Sequence, residues 1–331
     1  MPNITNQRDG AIFDCAEGDT ILRAALRAGI AMPYSCNTGS CGNCRLELIE
    51  GEVRHLREDS PAWSERDLKR NRWLGCQATP LGDCQVKFRT MPQYEPPVRP
   101  ALRDAELTSV TAITRDISEF TFRIDGPPDF RPGQYALISV PGVDGPRAYS
   151  MSNLAADGEW RFMVKKVPEG AATGWLFDAG PGAQVTMDGP YGTAFLKQDS
   201  PRDIVLLAGG SGLSPMVSIA KSAAAAGMLA NRKLHVFYGA RDIPDLCDAP
   251  TLGPDAAAHA RFVPALSDPG ADSGWDGATG FLHDVVAADM GEALKDCEIY
   301  FAGPAVMSEA VQKMAYEIGV PSDQLHFDEF Y

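Results

Sequence analysis

The sequence predicts a multidomain fold: a small α+β unit in residues 1–90, an antiparallel β-barrel in 103–200, and an α/β unit with a parallel sheet in 201–331. Three observations predict it. A cysteine- and glycine-rich loop follows a short amphipathic helix near the N-terminus. Short alternating runs broken by Gly and Pro fill the middle. Continuous apolar runs alternate with helical stretches towards the C-terminus.

In the first unit, Asp19 or Thr20 caps a helix over 21–28, with Ile21, Leu22, Ala25 and Leu26 on one side. Gly29 suits its C-terminus. A strand over 45–49, a second helix over 64–71 and a closing strand over 85–89 are expected. Residues 91–102 are proline-rich and aperiodic, which predicts a semi-rigid extended linker. In the middle unit, strands are expected over 108–114, 119–124, 135–140 and 160–167. In the last unit, 204–208, 234–238 and 298–302 read as buried parallel strands with helices between them.

Composition excludes several functions. The net charge is −14, yet residues 1–90 carry 12 basic and 12 acidic residues, so the acidic excess lies entirely beyond them. Such a surface repels phosphate backbones and anionic lipid, so neither a nucleic acid nor a membrane is an expected partner. No apolar run approaches the roughly 20 residues of a membrane span, and MPNITNQRDG lacks a basic-then-apolar pattern. The cytoplasm is the expected compartment. The eight cysteines then point to a metal or redox site more than to disulfides.

Cys36, Cys41, Cys44 and Cys76 give C-x4-C-x2-C with a distant fourth cysteine, the plant-type spacing for a [2Fe-2S] cluster. Gly39 and Gly42 lie where the backbone must turn tightly and aim N–H groups at sulfur. A structural zinc site is the alternative, but it usually pairs two short knuckles and only one is present. Cys84 rivals Cys76 as the fourth ligand. Cys15, Cys247 and Cys297 read as small buried apolar residues.

In the barrel segment, Arg147-Ala148-Tyr149-Ser150 has the chemistry a flavin requires. Arg147 can neutralise a pyrophosphate, Tyr149 can lie against the ribityl chain or ring, and Ser150 can reach N5. Gly170 to Thr173 opens a helix, capped by Thr173, whose free N–H groups suit a phosphate. In the last unit a strand runs into Gly209-Gly210-Ser211-Gly212-Leu213-Ser214-Pro215 and then a helix, the setting of a dinucleotide loop. Gly210, Gly212 and Pro215 are its candidate residues, with Pro215 tolerated in the first helical turn. Arg241 ends the second strand, and Gly303-Pro304 follows a later one. Asp242 and Asp245 would repel a 2′-phosphate and favour NADH, whereas Arg241 alone would favour NADPH. The five histidines form no ligand or nucleophile–base pattern.

Assembled, these segments resemble the ferredoxin-plus-reductase chains of bacterial oxygenases, and most of all the reductase component of toluene/alkene-type soluble di-iron monooxygenases. ALRAGIAMPYSCNTGSCGNCRLELIEGEV, LKRNRWLGCQATP, RAYSMSN, AGGSGLSPMVS and HFDEFY carry the likeness. The resemblance implies a β-grasp [2Fe-2S] domain, an FAD barrel and an NADH domain in that order. It implies that the four cysteines ligate iron, that Arg147, Tyr149, Ser150, Gly170 and Thr173 hold FAD, and that Phe330 covers the flavin ring. Ser150 and Phe330 would then be the catalytic residues. The family usually carries Cys-Gly-Pro near the nicotinamide; here it is Ala302-Gly303-Pro304. The implied activity is oxidation of NADH through FAD and the cluster to supply single electrons, from a monomeric carrier, to a multicomponent monooxygenase of aromatic hydrocarbon catabolism. Its acceptor would be a Rieske-type ferredoxin or a di-iron hydroxylase. The alternative acceptor is a Rieske ring-hydroxylating dioxygenase system. A deoxysugar dehydratase reductase shares the modules, and a zinc-stabilised redox sensor is the alternative from another class.

Overall fold

The computed structural model describes residues 1–270 and 273–328. The first unit is a mixed five-stranded sheet in the order Ile12–Asp14, Asn3–Asn6, Cys84–Lys87, Arg45–Glu50, Arg72–Leu74. A helix, Ile21–Arg27, packs Ile21, Leu22, Ala25 and Leu26 into the core, giving a β-grasp. Thr20, not Asp19, caps it, accepting from the Arg23 amide at 3.4 Å. The second helix is shorter than predicted, Glu65–Lys69, and opens on a capping box between Ser64 and Asp67.

The barrel runs in the order Arg147–Ser150, Tyr135–Ser139, Gln184–Tyr191, Ala101–Ala112, Ile117–Ile124, Trp160–Lys165. An antiparallel bridge from Met151 to Phe162 brings the two outer strands together. The strand Gln184–Tyr191 escaped the sequence reading because Gly189-Pro190 looks like a breaker. It is nonetheless paired on both sides, where Gly189 lets the chain lie 3.2 Å from Ala136 Cα, measured from the Cβ it lacks.

The third unit is a parallel sheet in the order Ala278–Thr279, Ala260–Leu266, Leu234–Ala240, Asp203–Gly209, Cys297–Ala302, Leu325–His326. Its central strand shows why an unbroken apolar run was the right signal. Ile204, Leu206 and Ala208 enter the core beneath helix Leu213–Ala225, while Val205 and Leu207 enter the core on the opposite face.

The first unit is seated on the barrel through polar and aromatic contacts. Arg27 donates to Asp188 at 2.8 Å and also pairs with Asp19 at 3.3 Å. Tyr135 donates to the Ser35 carbonyl at 2.5 Å, and the Gly192 amide donates to the Tyr34 hydroxyl at 2.9 Å. Tyr34 also meets the rings of Tyr94 and Tyr191, with centroids 6.1 and 6.2 Å away. Tyr94 lies in a 3-10 turn, Pro92–Tyr94, so the connecting segment is docked at this point.

At the edge of the parallel sheet, His326 is stacked on Tyr300 and bonded to Glu298 at 2.6 Å. Burial is the largest influence on His326 and holds its pKa below the ordinary value. The unfolded chain therefore takes up that proton more readily, and stability falls as pH drops below about 6.5. His326→Phe keeps the ring stack and should flatten this part of the profile of unfolding temperature against pH. Superimposable profiles would show that His326 contributes nothing to it.

Candidate functional site

The loop after the first helix folds around the Cys36 sulfur. The amides of Thr38, Ser40 and Cys41 each lie 3.4 Å from it, and the Cys76 amide lies 3.5 Å from the Cys44 sulfur. Positive φ at Asn37, Gly39 and Gly42 turns the backbone inward. A Cβ on Gly39 would stand 2.9 Å from the Ser60 hydroxyl, so the segment after residue 56 closes over the loop. Cys36, Cys44 and Cys76 are buried, and Cys41 is half-buried.

The thiols meet as two pairs, Cys36 with Cys41 and Cys44 with Cys76. The bond from Cys41 pulls Cys36 down to about 5, helped by the Thr38 and Cys41 amides and opposed by burial. Cys41 and Cys44 are pushed up, first by the bond to the pair partner and then by burial. Two pairs suit a binuclear cluster with two thiolates per iron better than one tetrahedral zinc. Cys84 points elsewhere, with its sulfur bonded to the carbonyls of Glu52 and Gly82.

All the candidate flavin and nicotinamide residues from Arg147 to Pro304 line one cleft of ≈ 1550 Å³. The cleft also reaches Thr38, Ser40 and Gln77 beside the cysteine loop. Ser150 lies opposite Tyr135 across the barrel ladder. Arg147 is exposed and donates to the carbonyls of Asp144, Gly145 and Pro146, which fixes its guanidinium at the cleft mouth. Burial pushes the Tyr149 hydroxyl up to about 12. Thr173 does not cap its helix. Gly170 occupies the cap of Ala171–Asp178, and Thr173 sits one turn in, donating back to the Gly170 carbonyl at 3.2 Å. Phe330 lies outside the described residues.

Sequence reasoning missed the contacts that join the two halves of the cleft. Ser214 donates to the Ser150 carbonyl at 2.6 Å, and Ser218 donates to the Asn153 carbonyl at 2.8 Å. Lys221 donates to the Ser152 carbonyl at 3.3 Å. These three polar residues recur at i, i+4 and i+7, a polar stripe on an otherwise buried helix that would have identified this face.

Comparison with known families agrees with this layout. The 2Fe-2S iron-sulfur cluster binding domain family matches residues 4–81, the oxidoreductase FAD-binding domain family 104–195, and the oxidoreductase NAD-binding domain family 206–313. The chain is 38% identical to the ferredoxin–NAD(P)+ reductase CarAd of Metapseudomonas resinovorans, over 96% of each chain. It is also 38% identical to the ferredoxin–NAD+ reductase component of the alkene monooxygenase system of Xanthobacter autotrophicus, over 97% of this chain and 98% of that one. The chain belongs to the oxygenase-linked ferredoxin–NAD(P)+ reductases. A solved structure of the ferredoxin reductase in carbazole 1,9a-dioxygenase superposes with a TM-score of 0.92 at 36% identity, covering 100% of this chain and 98% of that one. The [2Fe-2S] cluster, FAD and NAD are thus the cofactors of this reductase.

Within this reductase the dinucleotide loop interlocks with the loop after the last long strand. A Cβ on Gly212 would fall 2.0 Å from the Ala302 carbonyl oxygen and 2.8 Å from the Gly303 nitrogen. Pro215 is the third residue of its helix, where a missing N–H costs no helical bond. The acidic pair expected to repel a 2′-phosphate is revised. Asp245 is held by Arg115 at 2.7 Å, so its charge is already matched. Asp242 caps a 3-10 turn through the Ile243 amide. Arg241 instead faces Asp268 at 3.6 Å, with both side chains exposed. Gly212→Ala should push the two loops apart, raising the NADH dissociation constant by about tenfold or more, while bound-flavin absorption is retained. Unchanged NADH affinity in a titration of that variant would contradict the interlock.

Proposed function

We propose that this chain is an NADH-oxidising reductase that supplies single electrons to a multicomponent hydrocarbon oxygenase. The observation that carries the proposal is the single cleft running from the nicotinamide loop past Ser150 to the cysteine loop. When bound, FAD accepts the electron pair of a hydride and hands electrons on singly, and the cluster takes one at a time.

The residues divide this work. Cys36, Cys41, Cys44 and Cys76 hold iron, and the loop amides offset thiolate charge. Arg147 and the N-terminus of helix Ala171–Asp178, at Gly170 and Thr173, hold the FAD phosphates. Tyr149 and Ser150 orient the ring. Gly210, Gly212, Pro215, Gly303 and Pro304 shape the nicotinamide side, with Arg241 at the adenosine end. Ser214 and Ser218 keep the two half-sites in register. The chain divides at 1–90, 103–200 and 201–331, joined by 91–102, and it works as a cytoplasmic monomer.

The acceptor is a small Rieske-type ferredoxin or the di-iron hydroxylase of a monooxygenase; relatives named for dioxygenase systems support a ring-hydroxylating system equally. Its approach is favoured by a basic groove on the cluster unit. On that unit Arg45 is engaged by Asp67 and Arg57 by Asp59. Arg8, Arg72, Lys87 and Arg89 line a groove with Arg45 and one carboxylate, Glu47, and among the described residues none of these four cations is within ion-pair distance of an acid. Arg45 also donates to the Gly42 carbonyl, so the groove adjoins the cysteine loop.

Anaerobic NADH should bleach flavin and iron–sulfur absorption together. Cys76→Ser should abolish the cluster signal while NADH still reduces the flavin. A flavin-free, NADH-insensitive protein would refute the function. Lys87→Glu should lower the rate of reduction of an acidic [2Fe-2S] ferredoxin by about tenfold at low salt, and the difference should vanish at high salt. Ferricyanide reduction serves as the control. Equal rates with the acidic ferredoxin at low salt would remove the groove from the docking surface.

A further inference from the structure

Two buried polar groups beside the cysteine loop lack the partners that burial demands. Arg23 is 7% exposed, yet among the described residues it forms no ion pair. Its Nε and Nη2 donate to the side-chain and backbone oxygens of Asn37 at 3.3 and 3.4 Å, and Asn37 is neutral. The carboxylates of Asp19 and Asp188 are engaged by Arg27. Asn37 is 1% exposed, and its amide nitrogen has no hydrogen-bond partner. Arg23 acts on Asp19 only at longer range, and a buried cation with no contacting carboxylate, like a buried donor with no acceptor, is unfavourable unless an anionic acceptor lies close by.

Asn37 follows Cys36 directly, and Arg23, Thr38 and Gln77 share the wall between the cysteine loop and the cofactor cleft. Arg23 occupies the amide oxygen of Asn37, which leaves the amide nitrogen only as a donor. A cluster with its thiolates is anionic and becomes one unit more negative on reduction. Fixed positive charge and N–H donors in a poorly solvated site favour the more negative state.

We propose that Arg23, acting through Asn37, is a positioning residue that raises the reduction potential of the iron–sulfur cluster. The inference rests on the assignment of Cys36, Cys41, Cys44 and Cys76 as the iron ligands. Reduction delivers one electron to the cluster, and Arg23 supplies the compensating charge without gaining or losing a proton. The arrangement thereby makes the cluster a better acceptor for electrons leaving the flavin.

The test is a redox titration of the full-length, cofactor-loaded protein, followed by the paramagnetic resonance signal of the reduced cluster. Arg23→Met removes the charge, and Arg23→Lys keeps it. Asn37→Gly removes the donor while suiting the φ of +56° at that position. Arg23→Met and Asn37→Gly should each lower the reduced-to-oxidised ratio at fixed poise by about tenfold or more, about 59 mV for one electron. Arg23→Lys should lower it less, and the flavin midpoint should move less than that of the cluster. Intact cluster spectra with unshifted midpoints in Arg23→Met and Asn37→Gly would overturn the proposal. So would an equal fall in Arg23→Lys and Arg23→Met. Should Arg23→Met fail to assemble its cluster, Asn37→Gly alone decides. A wild-type protein that shows flavin but no cluster signal would refute the ligand assignment itself, a distinct outcome.

Discussion

Electron transfer between two cofactors requires that the protein hold them at a fixed, short separation, and here that constraint rests on the seat of the first unit on the barrel. Three contacts define it: Arg27 on Asp188, Tyr34 under the Gly192 amide, and Tyr135 on the Ser35 carbonyl. The last one matters most. Ser35 precedes Cys36, and Tyr135 is the ladder partner of Ser150, so one hydroxyl joins the cysteine loop to the flavin strand. Both tyrosines are fully buried and their hydroxyls bonded, which makes an alternative seating costly.

The nicotinamide side depends on a second constraint of the same kind. Helix Leu213–Ala225 serves the dinucleotide loop with its first turn and the flavin strand with its side chains. Hydride transfer needs the two rings in face contact, with a tolerance well under an ångström or two. Hydrogen bonds from Ser214, Ser218 and Lys221 tie this helix to the backbone carbonyls of Ser150, Asn153 and Ser152, whose positions are fixed by the barrel chain and not by rotamers.

Much of this was legible in the sequence. The cysteine spacing, the Arg147–Ser150 motif and the glycine loop are local patterns, and local patterns survive without tertiary information. The apolar run 204–208 identified a buried parallel strand because both of its faces are covered by helices. What failed did so for a common reason. Gln184–Tyr191 looked broken at Gly189-Pro190, but its pairing partners lie far away in the chain. Thr173 looked like a cap because threonine favours that position, whereas the turn at Glu169 and Gly170 starts the helix earlier. Asp245 looked like a free charge until Arg115, 130 residues away, came alongside it. Arg23 carries no local signal in the sequence, and only the fold shows that its guanidinium is turned to Asn37.

The seat also shows what the connecting segment contributes. Tyr135, Leu137 and Tyr191 of the barrel belong to the same apolar cluster as the core of the first unit, so the two share a boundary instead of merely touching. Because both halves lie on one chain, their association is governed by effective concentration, which short tethers place in the millimolar range. A smaller shared surface then suffices than two separate proteins would need, so the organisation favours a fused chain over a pair of dissociable carriers.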